Sequence, residues 1–405
     1  MYERWQKNNL KHALAVRRGV HLTGARQCGK TTLADCIGLD NCRNYTLDDD
    51  DVLATAISDP KGFVKHQQGE TLMIDDVQKA PILLNAIKMV LDKDDSKGQY
   101  LLTGSSNLRF AKAVKDSLAG RLARIRLRTL ALGEIHSGKG DFLKRAFARD
   151  WPYDYPEMDK RDVIHLAFLG GYPEARELGQ ADRRKWFIDY LDDILTKDIQ
   201  DVTEIRKLDS LKRAAHWLIA YSSKFFEFSD LGRSAQLTKE TVKGYVAALQ
   251  ALYLVDAVEP WAGNDYSRLG KRTKYFVTDP ALMANILGWN EEHAYLNADE
   301  SGKLIETWAY HELASLMDLS GEYEVSQYRD TDKREIDFII KREDGRQLGI
   351  EVKAGGVGLE DFKHLKWVRK NLIKDDFTGL VLYTGDKVLS FGEDLYAVPM
   401  SALMG

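Results

Sequence analysis

The chain has 405 residues, of which 44% are hydrophobic and 30% charged, and its formal net charge is −4. That length exceeds one ordinary core and predicts two or three domains, and the composition is that of a globular chain and not of a disordered one. The slight acidic balance excludes a global basic field for nucleic acid, so any basic surface is local.

The first residues, MYERWQKNNLKHALAVRR, mix charges and lack the apolar stretch of a secretory signal. No apolar run approaches the roughly 20 residues that cross a bilayer, which predicts no membrane association. Cys28, Cys36 and Cys42 are odd in number and lack C-x-x-C spacing. This argues against a disulfide framework and against a zinc site, and predicts a cytoplasmic setting that keeps thiols reduced.

The stretch Gly24-Ala25-Arg26-Gln27-Cys28-Gly29-Lys30-Thr31-Thr32 contains G-x-x-x-x-G-K-[ST], with a strand-like VHLT before it and a helical start after it. In that context the glycines let backbone N–H groups converge on phosphate oxygens, with the positive end of the helix dipole behind them. Lys30 is predicted to reach the β- and γ-phosphates of ATP, and the Thr31 hydroxyl to ligate Mg²⁺. Cys28 reads as a plain loop residue, with oxidation sensitivity as the alternative. The run of aspartates at 48–51 reads as a helix cap with extra charge at the dipole end.

Next comes TLMIDD, an apolar strand ending in Asp75, a predicted Mg²⁺ ligand, and Asp76, placed where a water-activating acid is needed. The following apolar run, YLLTGSSN, ends in polar groups. Thr103 at its carboxyl end is predicted to point at the γ-phosphate or the attacking water, since parallel sheets bind ligands at the carboxyl ends of their strands. SLAGR then precedes a last strand that carries Arg124, Arg126 and Arg128.

Phosphate loop, acidic strand end, polar strand end and Gly-Arg, in that order, resemble the AAA+ ATPases. The resemblance implies that Arg121 is a finger reaching the nucleotide of a neighbouring subunit, and hence a homo-oligomer. A surface or DNA-facing arginine is the other reading. Where that family has Glu after the acidic Asp, this chain has Asp76, one methylene shorter, which is as compatible with slow turnover as with brisk turnover.

Residues 136–160 are polar, aromatic and rich in turn formers, and read as a linker. The stretch FLGGYPEA is similar to a lid turn that touches adenine in some AAA+ relatives; a plain turn between helices explains it as well. Apolar residues at helical spacing follow: Trp186, Tyr190, Ile194, Leu211, Ala215, Leu218 and Ile219. Residues 230–255 then read as a short helix, a turn and a long helix capped by Thr238. A basic loop (Arg268, Lys271, Arg272, Lys274) before Tyr275-Phe276-Val277 reads as a wing. In this winged helix-turn-helix pattern Lys239, Lys243 and the wing cations are candidates for phosphate contacts. Such units also serve as ATPase lids or dimer surfaces.

The last third contains REIDFIIKREDGRQLGIEVK, with Asp344-Gly345 as a hairpin turn. Folding that hairpin brings Asp337 beside Glu351, and period two puts Lys353 on the face of Glu351. Two carboxylates and a lysine at one strand end are a candidate set for holding Mg²⁺ or Mn²⁺ at Asp337 and Glu351 and for activating water. Glu306, on an upstream helix, adds a carboxylate. These residues resemble the PD-(D/E)xK nuclease group, followed by a helix at 359–372 and a strand at 379–385. A structural ion pair across the hairpin is the alternative.

The phrases GARQCGKTTLA, LTGSSN, SLAGR, GGYPEA, EIDFII and IEVKAG, in this order, are also similar to prokaryotic ATP-binding proteins that join an AAA-type core to a nuclease-like region. The expected fold class is therefore α/β. It comprises a P-loop AAA-type parallel sheet at 1–135, the linker at 136–160, a helical and winged-helix domain at 161–290, and a mixed α/β restriction-endonuclease-like domain at 291–405. The expected function is Mg²⁺-dependent ATP binding and slow hydrolysis, coupled to DNA binding and DNA cleavage. The alternative is an ATP-gated switch or scaffold whose nuclease-like domain is an inactive interaction module for a protein partner.

Overall fold

The computed structural model describes the chain apart from residues 1, 40, 106–117, 119, 153, 202–206, 263–271 and 374–375. Strands β1 (Gly19–Thr23), β2 (Cys42–Thr46), β3 (Thr71–Asp75), β4 (Tyr100–Gly104) and β5 (Leu122–Arg126) form a parallel sheet in the order β2-β3-β4-β1-β5. Strands β1, β3 and β4 are buried along their whole length. This is why they read as continuous apolar runs: helices cover both faces of the sheet. Leu72, Ile74 and Leu102 pack with Leu83, Leu84 and Ile87 of the helix Ile82–Leu91. Met73 and Leu101 point the other way, into the core shared with Leu10, Leu14 and Leu33. Because β4 lies between β1 and β3, Thr103 ends up between the loop after β1 and the carboxylate that ends β3. Asp49 caps the helix Asp50–Ser58, accepting from the N–H groups of Asp51 and Val52.

A helical region follows, with helices Lys160–Leu169, Gln180–Thr196, Leu208–Ala220, Phe228–Ala235 and Lys239–Ala251. The Thr238 hydroxyl caps the last of these by accepting from Thr241 N–H. Upstream, the segment 136–160 carries the helix Phe142–Ala148, which buries Phe142, Leu143, Ala146 and Phe147. Asp154 in the same segment bridges to Lys387.

The remaining strands are β6 (Val255–Pro260), β7 (Lys274–Val277), β8 (Tyr323–Arg329), β9 (Glu335–Arg342), β10 (Gln347–Lys353), β11 (Phe377–Tyr383), β12 (Leu389–Ser390) and β13 (Leu395–Pro399). They form one mixed sheet in the order β12-β13-β11-β10-β9-β8-β6-β7. Strands β9 and β10 are antiparallel around the turn at Gly345, whose φ of +91° suits glycine, and Ile350 pairs with Phe338. The helix Ala298–Met317, buried for most of its length, packs against β7 and β10. The β6–β7 hairpin follows the helical region in sequence, yet joins the C-terminal sheet through Glu259–Ser326 and Pro260–Gln327 pairing. The strand expected as a wing is therefore buried. Arg268 and Lys271 of the expected basic loop lie outside the described residues.

Asp256 on β6 ties the two sheets together. It accepts from Arg126 at 2.9 Å, from Arg128 at 2.7 Å and from the Tyr310 hydroxyl at 3.0 Å, while Arg128 also reaches Asp318 at 2.7 Å. Burial alone would raise the Asp256 carboxyl, but the two guanidinium groups hold it well below the usual carboxylate range. A depressed folded-state value means stability that is present above the unfolded value of about 3.9 and is lost as pH falls below it. Replacing Asp256 by Ala should cost roughly 3 kcal/mol in urea denaturation at pH 7, the lower end for a broken buried pair, because Asp318 still holds Arg128. The gap between wild type and variant should shrink as the pH is lowered from 5 to 3.

Candidate functional site

Two polar sites emerge, one at the carboxyl ends of the parallel strands and one in the C-terminal sheet. At the first, residues 24–29 connect β1 to the helix Lys30–Cys36. Gly24 has φ +155°, and a Cβ there would lie 2.1 Å from the Leu127 carbonyl oxygen, so no side chain fits. Gly29, at φ +97°, makes the final turn into the helix. Arg4 braces the loop from behind, donating to the carbonyls of Cys28 at 2.8 Å and Arg128 at 2.6 Å while pairing with Glu134 at 3.0 Å. Cys28 is buried, with its Sγ on the Leu127 carbonyl, which fits a packed loop residue. Ala25 is buried, whereas Gln27 and Thr32 are exposed.

Lys30 folds back over the loop and donates to the carbonyls of Ala25 at 2.9 Å and Gly24 at 3.2 Å. Thr31 donates its hydroxyl to the Asp75 carboxylate at 2.9 Å, and Thr103 donates to the other oxygen of the same group. The Asp76 N–H in turn donates to Thr103 Oγ1 at 3.1 Å. Thr31, Asp75, Asp76 and Thr103 therefore form one connected unit. Asp76 sits in the left-handed region at φ +55°, and its carboxylate accepts from Gln78 at 2.9 Å; Gln78 also reaches Ser105 at 3.1 Å. The sequence reading gave Gln78 no role, since a lone glutamine after a strand carries no motif.

The helical region closes over the loop. Arg26 pairs with Asp198 at 2.8 Å, and the Tyr190 hydroxyl donates to the Arg26 carbonyl at 3.2 Å. Burial raises the Asp198 carboxyl, opposed by Arg26. Tyr190 stacks on Trp186 and shares a hydrogen bond with Tyr172 from the Gly-Gly-Tyr-Pro turn. Arg121 lies elsewhere. Strand β5 runs from Leu122 beside Gly19 to Arg126 beside Thr23, so Arg121 stands at the sheet edge opposite to its own phosphate loop. There it pairs with Asp92 at 2.5 Å.

In the C-terminal sheet the β9–β10 register runs on to bring Asp337 next to Glu351, and Asp337 accepts from Val352 N–H at 2.9 Å. Burial and the neighbouring Asp337 raise the Glu351 carboxyl, and burial likewise raises Asp337. Lys353 turns toward Asp361, at 3.9 Å. Glu306 from the long helix faces this group, but its partner is Lys274, at 2.5 Å. Lys274 also reaches Glu335 at 3.1 Å and Asp337 at 3.8 Å. The expectation that Lys274 contacts phosphate from a wing is thus corrected: it is buried among carboxylates. Burial alone would lower the Lys274 ammonium, but Glu306, Asp337 and Glu335 raise it. Among the described residues, no group of three or more His, Cys, Asp or Glu side chains is arranged to hold a metal ion. No helix among them is long and apolar enough to cross a membrane.

Residues 16–136 match a family described as an AAA domain, so the N-terminal part of the chain is an AAA-type domain of the P-loop ATPase class. Residues 160–293 and 301–403 match two domains of unknown function, DUF8612 and DUF4143. The chain is similar to the uncharacterized protein Rv2008c of Mycobacterium tuberculosis, with 24% identity over 401 residues, 97% of this chain and 83% of that protein. It is also similar to the uncharacterized protein MJ1544 of Methanocaldococcus jannaschii, with 21% identity over 73% of this chain and 66% of that one. Among solved structures it resembles the Walker-type ATPase PABY2304 of Pyrococcus abyssi, at 12% identity and a TM-score of 0.44 over 71% of this chain and 96% of that one. The RuvB Holliday junction branch migration motor of Thermotoga maritima follows at 18% identity and a TM-score of 0.29, over 70% and 94%.

The loop geometry makes Gly24 a sharp test. Gly24→Ala drives a methyl group into a backbone carbonyl and should destabilise the protein by roughly 1–3 kcal/mol. Gly244→Ala, in the interior of a helix with nothing within 4 Å of the new Cβ, should stabilise it by up to about 1 kcal/mol. Urea denaturation of the two variants in parallel reads both signs.

Proposed function

We propose that the chain is a Mg·ATP-binding ATPase of slow turnover that acts as a nucleotide-dependent switch on its own C-terminal half. The observation that carries this reading is the connected unit of Thr31, Asp75 and Thr103 facing the phosphate loop. The backbone N–H groups of residues 24–30 bind the phosphates, and Lys30 leaves its loop carbonyls to neutralise the β- and γ-oxygens. Thr31 and Asp75 supply hard oxygen donors of the kind Mg²⁺ takes, and so fit it. Bound there, Mg²⁺ would offset the charge that builds on the phosphate oxygens. Asp76, steadied by Gln78, orients the water; as Asp in place of Glu it reaches less far, which supports slow hydrolysis. Arg121, remote from its own loop, suits a role at a neighbouring subunit's nucleotide in a homo-oligomer.

Nucleotide state reaches the C-terminal half through β5. That strand pairs with β1, which leads into the phosphate loop, and its Arg126 grips Asp256 on β6. The helices at 208–251 with the β6–β7 hairpin follow the order of a winged helix, and the exposed Lys239, Lys243 and Arg272 suit contacts to DNA phosphates. The slight acidic balance of the whole chain also suits a protein partner. A second reading, in which the C-terminal domain itself cuts DNA, is favoured by the Asp337–Glu351 adjacency.

Lys30→Ala should abolish binding of a fluorescent ATP analogue in the presence of Mg²⁺ while the far-UV circular dichroism spectrum stays that of the wild type. Binding retained by the folded variant would contradict the assignment of a nucleotide site to residues 24–31.

A further inference from the structure

Lys274 opens β7 at 1% exposure, and its ammonium lies 2.5 Å from Glu306, 3.1 Å from Glu335 and 3.8 Å from Asp337. The rings of Phe225 and Phe276 complete its seat, with centroids at 5.3 and 5.8 Å. A buried ammonium persists only where anionic partners replace its lost hydration. A set of carboxylates converging on one cation is also what a hard divalent metal requires. Beside this group Glu351, 8% exposed, leaves Oε1 without a hydrogen-bond partner, and its ion-pair neighbour, His364, stands 3.8 Å away. The cluster thus has one carboxyl oxygen short of a partner and one cation already installed. A second, divalent cation next to that ammonium would meet like charge at contact distance in a buried setting, where screening is weak. The residues present fit an ammonium and do not fit a metal in this conformation.

We propose that Lys274 is a resident cation that holds the place of a divalent metal among Glu306, Glu335, Asp337 and Glu351, closing this cluster to metal while β7 is seated. The expectation of a metal rests on the nuclease-like reading of the domain; the assignment of Lys274 rests on the ion pairs and burial. Lys274 belongs to the hairpin whose other strand carries Asp256, so the element that closes the cluster is also the one gripped by Arg126 and Arg128. Lys274 is accordingly a positioning residue that determines cation occupancy. It adds one role that the nuclease resemblance does not contain, and brings Glu335 into the cluster.

The test is Mn²⁺ titration of the full-length protein without nucleotide, read by isothermal calorimetry and by thermal unfolding. Wild type should show no Mn²⁺ binding that is removed by Asp337→Asn. Lys274→Met should gain a Mn²⁺ site, with an unfolding temperature raised by about 3 °C or more at a hundredfold excess over Kd. That gain should vanish in the Lys274→Met/Asp337→Asn double variant. Wild-type Mn²⁺ binding that Asp337→Asn abolishes would overturn the proposal, whether or not Lys274→Met folds. So would a folded Lys274→Met protein that takes up no Mn²⁺. Plasmid cleavage, followed in the same samples, reads the nuclease chemistry separately. A gained Mn²⁺ site without cleavage supports the role of Lys274 and removes only the cutting reading.

Discussion

A carboxylate enclosed by two arginines from another sheet is costly to separate, and one such group ties the two sheets of this molecule. Asp256 belongs to the C-terminal sheet, whereas Arg126 and Arg128 belong to the last strand of the AAA-type sheet and the residues after it. Pulling the sheets apart would leave charges unpaired in a partly buried setting, at a cost that water repays only if the interface opens fully. The two sheets are thus held in one register relative to each other. The strand that supplies Arg126 is hydrogen-bonded along its length to the strand leading into the phosphate loop.

The same economy of paired charge appears at both polar sites. At the phosphate loop the groups suited to hold Mg²⁺ and phosphate are satisfied by each other: Thr31 and Thr103 on Asp75, and Lys30 on the loop carbonyls. Those bonds are exchangeable, because oxygen ligands and phosphates can replace them one for one. In the C-terminal cluster the cation comes from the chain itself and is buried, so exchange requires movement of a strand. On the proposed reading, the first site accepts a ligand. On the same reading, the second keeps its own cation.

What the sequence disclosed follows from how local each feature is. The phosphate loop, the acidic end of β3 and the polar end of β4 are each contiguous and flanked by apolar runs, so the proximity of Thr31, Asp75 and Thr103 was legible in the sequence. The Asp344-Gly345 turn fixed the β9–β10 register for the same reason, and with it the adjacency of Asp337 and Glu351. Lys274 was illegible: its carboxylate partners lie 32 to 63 residues further along the chain, and a lysine beside basic neighbours reads as exposed. The pairing of β6 with β8 was hidden because β6 follows the helices in sequence while bonding to a sheet formed later. Arg4 and Asp198, which brace the phosphate loop from distant segments, left no local signal.

The proposed switch links the nucleotide site to the C-terminal sheet through Arg126 and Asp256. Amide hydrogen exchange with and without Mg²⁺ and a non-hydrolysable ATP analogue measures this most directly. Nucleotide should change protection in strands 255–260 and 274–277 as well as in the loop at 24–31, and Asp256→Ala should remove the distant change while leaving the one at the loop. A response confined to the AAA-type domain in the wild type would contradict it.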